Sequence, residues 1–186
     1  MKNLDLKEYI IKEIDGAKEK KIGVILIKPE DYREATIILS EYFLSRLNSK
    51  GIYVTLNMPY YTVLENFKKN GINSSKLYFI DCVSKQASGF KNIKNCCFVE
   101  NPESLTELSL AITEAINTGN FNFLVFDSIS TMLMYNDLKI VERFVHYAIN
   151  KLRSYDMDGA LLFINDEKSK ELANVIMQFC DKFIAL

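Results

Sequence analysis

The stretch "GVILIKPEDYREATIIL", residues 23–39, sets the frame for the whole chain. Its first five residues are apolar and mostly β-branched, as in a strand buried on both faces. A polar turn follows, and then apolar residues recur at helical spacing. A strand passing through a short turn into a helix is half of a βαβ unit. The amino ends of helices at such junctions also suit anions, because free N–H groups and the helix dipole point there. Here, however, the turn and first helical residues carry Glu30, Asp31 and Glu34 and no glycine.

The same alternation continues outward from that stretch. "IGVILI" (22–27) predicts a first strand and residues 34–48 a helix; "IYVTL" (52–56) is a second strand. Pro59 opens a short helix that Gly71 closes. "LYFID" (77–81) and "CCFV" (96–99) predict two further strands. "NPESLTELSLAITEAINTG" predicts a helix with Pro102 near its start and Gly119 past its end. "FNFLVFD" (121–127) is a strand, 137–154 a helix, "ALLFI" (160–164) a strand, 168–179 a helix and "KFIAL" (182–186) a last strand. Before them all, residues 1–20 read as an amphipathic helix and a solvated connection. Tyr9, Ile10, Ile14 and Ala17 lie at helical spacing, and Asp5 with Glu8 forms a capping box. Strands alternating with helices imply crossover connections. The expected class is α/β, a mostly parallel central sheet with helices on both faces, in one domain over 1–186.

Composition removes several function classes. The chain has 186 residues, 48% of them hydrophobic, which supplies a core and argues against disorder. A formal net charge of −1 provides no field to steer nucleic acid or an anionic membrane. Cys82, Cys96, Cys97 and Cys180 form no C-x-x-C pair, and His146 has no cysteine near it in sequence, so neither a zinc site nor a disulfide framework is indicated. The amino-terminal residues lack the apolar core of a secretory signal, and no apolar run is long enough for a membrane span. The expected setting is the cytoplasm, with reduced thiols.

In a parallel sheet, function collects at the carboxyl ends of the strands. "FLVFDSIST" (123–131) stands out there. An apolar strand ending in Asp127, followed by Ser128 and Ser130, has the form of a Walker B segment, whose carboxylate holds Mg²⁺ beside a nucleotide's phosphates. A turn or capping carboxylate is the competing reading.

Together with "GIYVTLNMPY" (51–60) and the order of elements, this segment resembles the RecA/KaiC-like P-loop ATPase superfamily, in particular its archaeal KaiC-like branch. The resemblance runs from Ile22 to Leu186 and implies a RecA-like, P-loop NTPase fold. The family's phosphate loop, G-x-x-x-x-G-K-[ST], placed on this sequence, sets its first glycine on Pro29, its second on Glu34, its lysine on Ala35 and its hydroxyl residue on Thr36. Only the hydroxyl matches. Pro29 removes an N–H donor, and the missing glycines remove the freedom to curl the loop around a phosphate. Carboxylates at ~4 Å from a phosphate repel it by roughly 1 kcal/mol in water and by more in a cleft. Lys28 and Arg33 offset part of that charge. The family's glutamate pair after the second strand falls on Asn57 and Met58, neither of which is a base.

The resemblance therefore implies a degenerate member: a pseudo-ATPase with no cofactor, serving as a regulatory or assembly partner of a second copy or of a KaiC-like paralogue. An alternative is an atypical Mg²⁺–ATP-binding protein or weak ATPase that uses Thr36, Asp127 and Ser128, with Asp127 on the metal. A third is a nucleic-acid-binding module through loop 84–95, "SKQASGFKNIKN", with Lys85, Lys91, Lys94 and a stacking Phe90. A solvated surface loop is the plainer reading of that segment. "MLMYND" (132–137), with Met132, Met134 and Tyr135, reads either as core or as an adaptable contact surface, and the Tyr60–Tyr61 pair has the same two readings. His146 is expected on the polar side of its helix.

Overall fold

A computed structural model describes residues 5–15, 21–46, 50–85 and 93–186. The chain runs α1 (Leu6–Ile14), β1 (Ile22–Ile27), α2 (Tyr32–Arg46), β2 (Gly51–Thr55), α3 (Tyr60–Lys69), β3 (Leu77–Asp81) and β4 (Cys96–Phe98). It continues through α4 (Leu105–Thr118), β5 (Phe123–Asp127), α5 (Ile129–Tyr135), α6 (Leu138–Ser154), β6 (Asp158–Ile164), α7 (Glu167–Ile176) and β7 (Lys182–Ala185). Short 3₁₀ turns precede β3 and β7.

The seven strands form one sheet in the order β4-β3-β2-β5-β6-β1-β7, and every neighbouring pair is parallel. Parallel pairing forces each connection to cross over a face, and the helices are those crossovers. Two apolar layers result. On one face α4, α5, α6 and α7 pack against Val24, Val54, Ile80, Phe126 and Leu161. On the other, α1, α2 and α3 cover Ile25, Tyr53, Phe79, Val125 and Leu162. Covering on both faces explains why the central strands carry unbroken apolar runs rather than an alternating pattern.

The sequence expectation of an α/β fold with a parallel sheet and helices on both faces is met. Differences are local and have physical causes. Helix α2 starts at Tyr32, two residues before the expected start, because Ala35 N already bonds to Asp31 O at 2.9 Å. Helix α4 starts at Leu105, so Pro102 lies in the preceding turn. That turn is closed by Asn101, whose Oδ1 accepts from Glu103 N and Ser104 N. Asp5 does sit at the N-cap of α1, but its side chain makes no capping bond there. Helix α5 was not anticipated. Its seven residues begin directly after the tip of β5, and five of them are buried.

Gly51 opens β2 where a β-carbon would collide with the ring of Phe123 on the adjacent strand. Gly71 takes a left-handed conformation, φ 72°, just beyond α3 and turns the chain toward β3. On β3, Asp81 is fully buried and fully used. It accepts from Tyr60 N (2.8 Å), Val83 N (2.7 Å), Ser84 N (3.0 Å) and Ser84 Oγ (2.5 Å). It thereby fixes both the start of α3 and the turn after β3.

Candidate functional site

Parallel register brings the site together. Thr55 pairs with Asp127 and Tyr53 with Val125, so Tyr53 and Asp127 project from the same side of the sheet, one step apart diagonally. That side is the one covered by α2 and α3. Tyr32, the first residue of α2, approaches from above.

Asp127 is completely buried. The Tyr32 hydroxyl donates to its Oδ1 and the Tyr53 hydroxyl to its Oδ2, both through short bonds. Asn57, two residues past β2, donates its amide to Oδ1 at 3.2 Å and also reaches the Tyr32 oxygen (3.2 Å) and Ser128 Oγ (3.3 Å). Asn57 Oδ1 in turn accepts from the Thr131 hydroxyl in a short bond. Thr131 Oγ1 lies 3.4 Å from Ser128 Oγ. Six side chains, from β2, α2, β5, α5 and the residues just after β2 and β5, thus form one polar network. The peptide joining Asp127 to Ser128 is cis.

Burial dominates the electrostatics. It pushes the Asp127 carboxyl above its usual range, and the bonds from Tyr32, Tyr53 and Asn57 pull the other way. Burial also drives the Tyr32 and Tyr53 phenols well above theirs, and the charge on Asp127 adds to the effect. Both phenols therefore remain proton donors, and each carboxylate oxygen already accepts one of them.

The other site candidates are distributed as follows. Thr36 is buried in α2, where its hydroxyl donates to Tyr32 O at 2.8 Å in its own helix. Of the positions matched to the phosphate-loop pattern, Glu34, Ala35 and Thr36 lie inside α2. The connection from β1 is only residues 28–31, closed by Asp31 N to Lys28 O at 3.1 Å. Ser130 accepts from Ile164 N (2.8 Å) and meets Ser169 Oγ (2.7 Å), a tie between α5, β6 and α7. Asn57 joins the network, whereas Met58 is half-buried in the wall of a crevice. That crevice, about 320 Å³, lies between α2 and α3 and is lined by Tyr32, Tyr53, Ile37 and Phe67 among others.

In the expected loop 84–95, Ser84 is tied to Asp81 and Lys85 bonds to Glu107 at 2.6 Å. Phe90 and Lys91 fall outside the described residues, and Lys94 is exposed. His146 is exposed, with its ring 4.6 Å from that of Phe179. Tyr60 is buried and Tyr61 exposed. Met132 belongs to the core, but Met134 and Tyr135 face solvent. Among the described residues, no group of three or more His, Cys, Asp or Glu could hold a metal ion. No helix among them is long and apolar enough to cross a membrane.

Sequence reading located Asp127, Ser128 and Asn57 but missed Tyr32, Tyr53 and Thr131 as their partners. One signal was available: a carboxylate at the tip of a buried strand needs donors, and Tyr53 is the one polar-tipped aromatic on the adjoining strand.

Solved structures share this architecture, among them two from Pyrococcus horikoshii. The KaiC-like protein PH0186 of the hyperthermophilic archaeon Pyrococcus horikoshii OT3 superimposes with a TM-score of 0.65 at 13% identity, over 95% of this chain and 76% of that one. The uncharacterized protein PH0321 of Pyrococcus horikoshii, solved in complex with an unknown peptide, gives 0.69 at 13% identity, over 96% and 82%. The fold is RecA/KaiC-like. No curated protein matches the sequence. A family model does match residues 52–186, from β2 to the last residue, and the chain belongs to that family, the family of unknown function DUF7504.

Proposed function

We propose that this chain is a RecA/KaiC-like domain without ATPase chemistry, a pseudo-ATPase that acts in the cytoplasm as a regulatory or assembly partner of another protein, either a second copy or a KaiC-like paralogue. One observation carries the reading: Asp127, the residue that would hold Mg²⁺, has both oxygens occupied by the phenols of Tyr32 and Tyr53. A carboxylate buried among donors is stabilised by them, and a cation there would have to displace two hydrogen bonds in a closed space.

The surroundings support the same reading. The turn over residues 28–31 is too short to wrap a triphosphate, and Glu30, Asp31 and Glu34 would repel one. Asn57, on which the glutamate pair of KaiC-like ATPases falls by sequence, cannot take a proton from water. Thr36 spends its hydroxyl on Tyr32 O. ATP and Mg²⁺ do not fit this donor set. The peptide bound to PH0321 supports a role for this fold in contacts with other chains.

Calorimetric titration with ATP, with and without Mg²⁺, tests the proposal. No heat is expected at millimolar nucleotide. Micromolar, Mg²⁺-dependent binding that is lost in Asp127→Ala would overturn it and make Thr36, Asp127 and Ser128 a working site.

A further inference from the structure

Two adjoining hollows open at the carboxyl end of the sheet. One, about 500 Å³, includes Asn57, Val83, Glu100, Glu103, Met134 and Tyr135 in its walls. The other, about 610 Å³, shares Glu100 and Glu103 and extends along α4 to Leu110 and the start of α6 at Ile140. Together they form one groove between α4, α5 and α6.

Two properties define what fits it. First, the groove is apolar where it should be wet. Met134 (77% exposed) and Leu110 (65%) are the two most exposed large apolar side chains among the described residues, and Tyr135 and Ile140 join them. Scattered exposed apolar residues need no explanation, but four along one groove do. Second, its charge has one sign. Its walls include Glu100, Glu103 and Glu107 and no Lys or Arg. Glu107 is committed to Lys85 and to Glu100 N. Among the described residues neither the Glu100 nor the Glu103 carboxylate forms a hydrogen bond or ion pair, and Glu100 feels the Lys85 charge from its seat on Glu107.

We infer that this groove binds a cationic amphipathic segment of a partner protein, with apolar side chains seated on Met134, Tyr135 and Leu110 and Lys or Arg residues against Glu100 and Glu103. The inference rests on the partner reading above and gives that partner a chemistry. Met134 is suited to the task, since an unbranched thioether adapts to differently shaped apolar side chains. Helix-in-groove recognition uses this combination of apolar anchors and flanking charge. The groove also reaches the buried network, because Asn57 and Thr131 belong to its wall.

The test uses the full chain and a fluorescent amphipathic helical peptide made only of Lys and Leu, followed by anisotropy. Binding is expected to weaken about tenfold or more in the double variant Glu100→Lys/Glu103→Lys and in Met134→Asp, to fall with added salt, and to be unchanged in Tyr61→Ser, which lies on α3. Peptides of Glu and Leu, or of Lys and Ser, should not bind. Absence of binding, equal binding by all variants, or equal binding of the Lys–Ser peptide would overturn the inference. So would concentration-dependent self-association that Met134→Asp abolishes, because a second copy would then fill the groove. Any of these results alongside silent ATP titrations would leave the partner reading standing, whereas Mg²⁺-dependent ATP heat would remove that reading itself.

Discussion

Tyr32, at the first position of α2, donates its hydroxyl to Asp127 at the tip of β5, a residue ninety-five positions later in the chain. This bond joins the start of α2, the helix that follows β1, to a strand that does not neighbour β1, since β6 lies between β1 and β5. With Tyr53 on the other carboxylate oxygen, it makes Asp127 a fastening point for the helix layer above.

Removing either phenol should therefore cost stability. Tyr32→Phe and Tyr53→Phe are each expected to lower the free energy of unfolding by about 1–3 kcal/mol, because each leaves a buried carboxylate short of a donor. The double variant should depart from the sum of the two, since both act on one group. Urea denaturation of the four proteins in the cycle measures this.

Acidity supplies a second prediction. Burial raises the Asp127 carboxyl in the folded chain relative to the unfolded one. Between its ordinary value and its raised one, the folded state holds a proton that the unfolded state has released. Stability thus falls as pH rises through that window, which begins at about pH 4, and levels off above the raised value. Asp127→Asn has no such proton. Wild type minus Asp127→Asn, measured by denaturant unfolding at a series of pH values, should decline across the window and then stay flat.

Asp81 is also buried at the sheet's carboxyl edge, and its bonds hold the start of α3 and the turn after β3. Asp81→Ala would strand the N–H groups of Tyr60, Val83 and Ser84 together. A loss of at least about 2 kcal/mol is expected, with amide hydrogen exchange accelerating at the start of α3 and in the turn after β3.

A fourth prediction concerns packing between β2 and β5. Gly51→Ala places its new methyl against the Phe123 ring and should destabilise the protein by about 1–3 kcal/mol. Phe123→Leu in the same chain should restore part of that loss, although Phe123→Leu alone is destabilising. Thermal melts of the three variants decide it.

The fold was legible because each central strand is an uninterrupted apolar run, as "IGVILI" and "FLVFD" illustrate, and because turn residues fall between runs and helices. Helix α5 escaped because "ISTMLMY" is too short and too apolar all round to show a helical face. The site was half legible. Asp127 stands at a strand tip, where a reader looks for chemistry. Tyr32 lies among the unspecified positions of the phosphate-loop pattern, between Pro29 and Glu34, so the pattern gives it no role. Tyr53 looked like one more strand aromatic. Their convergence depends on the register of β2 against β5 and on α2 starting at residue 32, and neither is written in local sequence.

The position of β1 has a consequence for the order in which the molecule can be made. Its neighbours in the sheet are β6 and β7, with Ile22 beside Gly159 and Gly23 beside Lys182. Both neighbours are synthesised after every other described strand of the sheet. A nascent chain that has emerged only as far as α6 can assemble β2, β3, β4 and β5 side by side, but β1 must wait with its apolar residues unpaired until residue 158 and beyond leave the ribosome. Such waiting exposes strand edges to aggregation. Translation through β6 is thus the first point at which β1 can find a neighbour in the sheet, and until then "GVILI" stays unpaired.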